Sequence, residues 1–138
     1  MAQINTIFDI AGRAMSSQLQ RLNTVASNLA NAHSVASRPE DAYRSMKPVF
    51  ETQYADNLKN SGLATVDMVD VALTDRDPIE VYQPDHPQAN EDGYIFRAAV
   101  DPEEEMVEML EASRQYQNNV EVVSTLRTLM MRTVNMGR

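Results

Sequence analysis

The chain has 138 residues, 43% of them apolar and 23% charged, which suffices for one ordinary domain core and leaves no room for a second. Twenty acidic against 12 basic side chains give a net charge of −8 and a pI near 4.6, so a phosphate backbone would be repelled and nucleic acid is excluded as a partner. The absence of cysteine removes disulfides, thiolate nucleophiles and cysteine-ligated metals together.

The opening is interrupted by Gln3, Asn5, Asp9 and Arg13, unlike the basic start and continuous apolar stretch of a cleavable secretory signal. If the protein leaves the cytoplasm, a route other than Sec is expected. From Ile4 onward apolar or small residues recur at Phe8, Ala11, Met15, Leu22, Val25 and Leu29, a 4-3 alternation broken at Gln18. This predicts a long amphipathic helix of about 25 residues, or about 38 Å. Asn5 is the expected N-cap and Asn31 the expected left-handed residue at the C-terminal end, followed by loop residues Ser34, Ser37 and Pro39.

Residues 43 to 100 carry four of the six prolines and two of the four glycines, among alternating apolar residues: Val69, Val71 and Leu73, then Ile79, Val81, Tyr94 and Phe96. Short strands and loops are predicted, with a hairpin signalled by Asp92-Gly93 just before Tyr94. No internal repeat is visible.

The last helix has the best-marked start. Asp101 is its N-cap, Pro102 its first residue, and Glu104 completes a capping box, with Glu103 to Glu105 where the helix dipole favours anions. Met106, Met109, Tyr116, Val120, Val123, Met130 and Val134 then repeat at spacings of three and four, with Ser113 and Arg127 between them, until Gly137. About 35 residues, near 52 Å, are predicted helical.

The apolar faces are too wide for a lone pair of helices. With Ile7, Ile10, Leu19 and Ala26, the first face spans about 180°; with Val122, Leu126, Leu129 and Met136, the last spreads past about 200° beyond Val120. Leaving six such side chains in water forgoes about 1.5 to 3 kcal/mol each, which implies other chains. A compact helical-hairpin dimer answers the same pattern. Nine methionines, five in the last helix, suit packing against inequivalent neighbours and equally suit ordinary core filling.

No catalytic or cofactor apparatus is visible. His33 and His86 lack partners at metal spacing, and Asn90, Asp92 and Gly93 imitate part of a calcium loop whose first and twelfth positions would be Gln88 and Ala99. Phosphate-binding loops and nucleophile elbows are absent. Catalytic, cofactor-binding and metal-binding residues are therefore expected to be none.

Two stretches carry a family resemblance. Arg21-Leu22-Asn23 and Ser27 to Ala32, with Asn28 and Asn31, resemble the N-terminal signature of the bacterial flagellar rod and hook axial proteins. Pro84 to Ala89 with Pro87, Gly93-Tyr94, Val100-Asp101, Glu105-Met106, Ala112-Ser113-Arg114, Tyr116 and Asn119, together with Tyr43-Arg44 and Val49-Phe50, resemble the proximal-rod members of that family. The likeness spans almost the whole chain. Ala98-Ala99, where the family often has Pro-Asn, and Glu40-Asp41-Ala42, which lacks a common glycine, are local departures.

The resemblance implies a mainly α fold with a small β segment. Long terminal helices, within 1–35 and 101–138, would pair as a coiled-coil (D0-like) core domain, and residues 36–100 would form the outer part. It further implies a non-enzymatic structural subunit of the proximal rod, stacked helically with itself and other rod proteins around a channel, transmitting torque. Export through the flagellar type III apparatus to a rod spanning the periplasm is implied as well. The expected subunit-packing residues are Ile4, Phe8, Met15, Leu22, Val25 and Leu29 on the first helix, and Met106, Met109, Tyr116, Val120, Val123, Leu126, Met130 and Val134 on the last. A cytoplasmic acidic coiled-coil adaptor or secretion chaperone, fully helical and free of strands, is the alternative.

Overall fold

The computed structural model describes residues 2–54 and 64–137. Two long helices, α1 (Ala2–Asn31) and α2 (Pro102–Met136), enclose five strands: β1 (Val35–Ala36), β2 (Met46–Tyr54), β3 (Ala64–Leu73), β4 (Ile79–Tyr82) and β5 (Tyr94–Arg97). The fold is mainly helical with a small antiparallel β segment.

α1 begins at Ala2, so Asn5 lies inside the helix and not at its N-cap. Alanine and glutamine propagate a helix well, and no glycine or proline interrupts the first turn. Its far end also differs from expectation. No non-glycine residue among those described has a positive φ, so Asn31 does not take the left-handed position. Its amide instead donates back to Ser27 O at 2.8 Å, while its own carbonyl accepts from Ser34 N (3.0 Å) and Ser34 Oγ (2.7 Å). The side chains close the helix, and a left-handed residue is not needed.

At α2 the Asp101 carboxylate accepts from the backbone of Glu103 (2.9 Å) and Glu104 (3.4 Å), as its position predicts. The return half of the capping box is missing. Glu104 reaches Lys47 and Arg76 instead, because two cations offer stronger partners than one backbone N–H.

β2 and β3 form a two-stranded antiparallel ribbon longer than the short strands expected. Pro48 is accommodated because a two-stranded ribbon leaves one edge of β2 unpaired. The register steps from Val49↔Asp70 to Phe50↔Met68, leaving Val69 as the extra residue of a bulge, so the alternation read through Val69, Val71 and Leu73 is broken at its first member. Ser45 and Thr74 clasp the open end, with Thr74 N donating to Ser45 O at 2.8 Å.

The second sheet has the order β1-β5-β4, with β5 central. Tyr82 and Tyr94 face each other across β4 and β5, ring centroids 5.1 Å apart at 63°. The hairpin signalled by Asp92-Gly93 is present. Gly93 has φ 81°, and Asn90 Oδ1 accepts from Asp92 N and Tyr94 N, so the residues that imitate a calcium loop serve as turn chemistry. Below this sheet Ala32, Ala98 and Val100 form a small buried cluster against Tyr43.

Candidate functional site

α1 and α2 run antiparallel, since Arg21 meets Glu108 while Asn28, one side of it along α1, meets Glu105 on the opposite side along α2. The side of α2 turned inward passes through Glu105, Met109, Ala112, Tyr116, Asn119, Val123, Leu126 and Met130, all buried or half-buried, at strictly alternating steps of four and three. On α1 the matching series is Ala11, Ala14, Gln18, Arg21, Val25, Asn28 and Ala32. Ala112 is fully buried, a small side chain that lets the two backbones approach. α1 also packs against β2 and β3, so its wide face has two neighbours.

The head of this seam is polar. Asn28, 1% exposed, is the largest fully buried side chain and makes four hydrogen bonds. Its Nδ2 donates to Met46 O (2.8 Å) and Glu105 Oε1 (3.1 Å), and its Oδ1 accepts from Met46 N (2.8 Å) and Tyr43 Oη (2.9 Å). One side chain thereby joins α1, α2, the start of β2 and the connection before it. An asparagine is suited to this because it carries two donors and an acceptor in one plane.

Glu105 is 6% exposed, and desolvation raises its carboxyl above the ordinary glutamate range, opposed by the Asn28 hydrogen bond and the positive charge of Lys47. Glu104 shows the opposite shift. The hydrogen bonds from Arg76 (3.0 Å) and then Lys47 (3.3 Å) hold its carboxyl below the usual range. Arg21 Nε donates to Glu108 at 3.0 Å across the helix pair. A cleft of about 300 Å³ opens beside these groups, lined by Arg21, Val25, Met46, Lys47, Pro48, Phe50, Glu105 and Glu108. Its charges are committed to one another. Among the described residues, no group of three or more acidic or histidine side chains is placed to hold a metal.

The residues expected to pack subunits fall into two sets. Phe8, Met15, Leu22 and Leu29 are half-buried and Val25 is buried, while Met109, Tyr116, Val123, Leu126 and Met130 lie half-buried in the helix pair. Met106, Val120 and Val134 are exposed, on a stripe beside the seam. The side chain of Ile4 lies outside those described. Of the signature residues, Asn28, Asn31 and Tyr43 meet at the head of α1, with Arg44 half-buried next in the chain. Pro84, Pro87, Gly93 and Tyr94 build the β4–β5 turn region. Ser113, Tyr116 and Asn119 line α2, and Arg114 is exposed.

The sequence reading assigned Glu105 to the helix dipole and missed its place in the seam. The signal was available: Glu105 stands four residues before Met109 and seven before Ala112. On the two helices, the exposed large apolar side chains outside the expected set, among the described residues, are Val107, Leu110, Val122, Leu129, Met131 and Met136 on α2 and Ile7 and Leu19 on α1.

Residues 8–35 match the family model for flagella basal body rod protein, and residues 91–136 match that for the C-terminal part of the flagellar basal body rod FlgEFG proteins. Along the full length of both chains, the protein is 41% identical to the flagellar basal-body rod protein FlgC of Escherichia coli O157:H7. It is 42% identical to that of Yersinia enterocolitica over 96% of each chain, and 33% identical to that of Aquifex aeolicus, again over 96% of each.

Proposed function

Because this chain belongs to the FlgC family of flagellar basal-body rod proteins and is a structural subunit of the rod, not an enzyme, we propose that it stacks helically with itself and other rod proteins, transmits torque and helps enclose an export channel. The observation that carries this reading is the end-to-end identity with FlgC proteins combined with an α2 whose outer face is apolar and uncovered.

In this reading the 4-3 seam of α1 and α2 is a two-helix coiled coil, and residues 1–35 and 101–138 form the core domain while 36–100 form the outer part. Alternating spacing along both helices favours that description. Met106, Val120 and Val134, with Val107 and Leu110, then meet neighbouring subunits, together with the flanks of the α1 stripe. Covering these five side chains returns about 1.5 to 3 kcal/mol each. Torque reaches the core domain through Asn28 and Glu104, which tie the β2–β3 ribbon to the helices. In the same reading the chain travels to the periplasm through the flagellar type III apparatus.

The test is complementation of a strain lacking its own proximal-rod subunit of this family. The intact chain is expected to restore rods and swimming, and a version lacking residues 2–20 is expected to restore neither. Swimming cells built on the shortened chain would overturn the proposal.

A further inference from the structure

Between Ile79 and Asp92 the chain carries four carboxylates, Glu80, Asp85, Glu91 and Asp92, and no lysine or arginine. None of the four has an ion-pair partner among the described residues, in contrast to Glu104 and Glu108 at the head of the helix pair.

This acidity surrounds an aromatic platform. The register Glu80↔Phe96 and Tyr82↔Tyr94 puts these side chains on one face of the β1-β5-β4 sheet, the face opposite buried Ile95. Tyr82 is 62% exposed, yet its ring is held in place. Tyr94 meets it edge-on with 5.1 Å between centroids, and Gly93 lies so close that a Cβ there would stand 2.9 Å from Tyr82 Cε2. An aromatic side chain left mostly in water while its orientation is fixed loses little rotamer freedom when something stacks on it.

The loop after β4 builds a groove beside that ring. Tyr82, Gln83, Pro84, Asp85, His86 and Pro87 line about 480 Å³. The loop backbone is fixed, with Gln83 N donating to Gly93 O (2.9 Å), His86 N to Gln83 O (3.1 Å) and Ala89 N to His86 O (2.9 Å). Gln88 N donates to His86 Nδ1 at 3.1 Å. Asp85 is exposed and its carboxylate has no partner among the described residues.

An open aromatic ring beside an unpaired carboxylate, with proline walls, suits a guanidinium. The planar cation stacks on the ring, its N–H groups donate to the carboxylate, and its alkyl stem lies on proline. We propose that this groove is a docking site for an arginine side chain presented by a partner protein, stacked on Tyr82 and paired with Asp85. Glu80, Glu91 and Asp92 favour the approach of a basic segment. A sugar ring also stacks on an exposed aromatic side chain, but the surrounding negative charge favours a cation over a neutral ligand. The site lies in the β segment and does not depend on the rod reading.

Nuclear magnetic resonance titration of the full chain with the peptide acetyl-Gly-Arg-Gly-amide at low salt tests it, with acetyl-Gly-Lys-Gly-amide and maltotriose as comparators. Saturable shifts of the backbone amides of residues 79–94 are expected, weakening as salt rises, with the lysine peptide binding less tightly. Tyr82→Leu keeps apolar bulk and removes the ring, and is expected to lower the affinity by about threefold or more, while Tyr82→Phe stays within about twofold of wild type. Asp85→Asn is expected to lower it by about twofold or more, and keeps the site testable if the Tyr82→Leu chain folds poorly.

Shifts as strong over the acidic start of α2 as over residues 79–94 would overturn the proposal. So would undiminished affinity in a folded Tyr82→Leu chain or in Asp85→Asn, a lysine peptide that binds as tightly as the arginine peptide, or shifts produced by maltotriose and not by the arginine peptide. Swimming by the chain lacking residues 2–20 would remove the rod reading and leave this site untouched.

Discussion

Replacing Asn28 by aspartate changes almost nothing in shape and reverses one set of interactions. The acceptor facing Met46 N and Tyr43 Oη is kept, while the Nδ2 donor becomes an oxygen 2.8 Å from Met46 O and 3.1 Å from Glu105 Oε1. Two hydrogen bonds are lost and two acceptors are left facing an acceptor in a site 1% exposed. An unsatisfied buried polar group costs about 1 to 3 kcal/mol, and one contact here is between two carboxyl groups, so Asn28→Asp should destabilise by about 3 to 5 kcal/mol at neutral pH. Asn28→Ala opens a small polar cavity that water can enter, and should cost about 2 to 3 kcal/mol. Urea titrations followed by far-ultraviolet circular dichroism at pH 7 and again near pH 4 read both numbers. The aspartate variant should recover part of its loss at the lower pH, where one of the facing carboxyls takes a proton and becomes a donor. A loss below about 1 kcal/mol for Asn28→Asp, or a loss independent of pH, would refute the assignment of Asn28 as the junction of helices and ribbon.

Two further substitutions test other parts of the fold. Burial raises the Glu105 carboxyl above its ordinary 4.5, so the fold favours the protonated form: this stabilisation is present below 4.5 and is lost as pH rises through the raised value. Glu105→Gln keeps an oxygen for Asn28 without the charge and should raise the melting temperature at pH 7 by a few degrees and not near pH 4, with a lower melting temperature at pH 7 counting against it. Gly93→Ala places a Cβ 2.9 Å from Tyr82 Cε2 and 3.2 Å from Pro84 Cβ at φ 81°, and should cost about 1 to 3 kcal/mol by urea midpoint, an unchanged midpoint contradicting the turn geometry.

Both helices and the Gly93 hairpin were legible because each rests on local chemistry. Asp101 caps, Pro102 fits the first turn, and Gly93 supplies the positive φ. What was illegible depended on distant partners. Glu104 looks like the return half of a capping box until Lys47 and Arg76 are brought beside it by the β2–β3 ribbon. Glu105 looks like a dipole residue until α1 covers it. Apolar periodicity on α2 marks two adjacent stripes, one through Glu105, Ala112 and Asn119 and the other through Met106 and Val120, and spacing does not say which one closes on α1. The ribbon's length was hidden for a related reason, since Pro48 and the bulge at Val69 interrupt the alternation by which strands are recognised. The strands themselves exclude the fully helical adaptor considered from the sequence.

The bonds that join α1 and β2 to the first turns of α2 link residues 57, 77 and 87 positions apart. Contacts so remote in sequence form late, because the loop-closure entropy must be met before they contribute. A chain that emerges from its N-terminus can assemble α1, Tyr43 and Met46 around Asn28, yet Nδ2 still lacks its glutamate and Arg21 its partner until more than a hundred residues have appeared. The closing element is the last one made. Three quarters of the polypeptide can therefore exist without the locked tertiary structure, which keeps a nascent chain open until α2 is made.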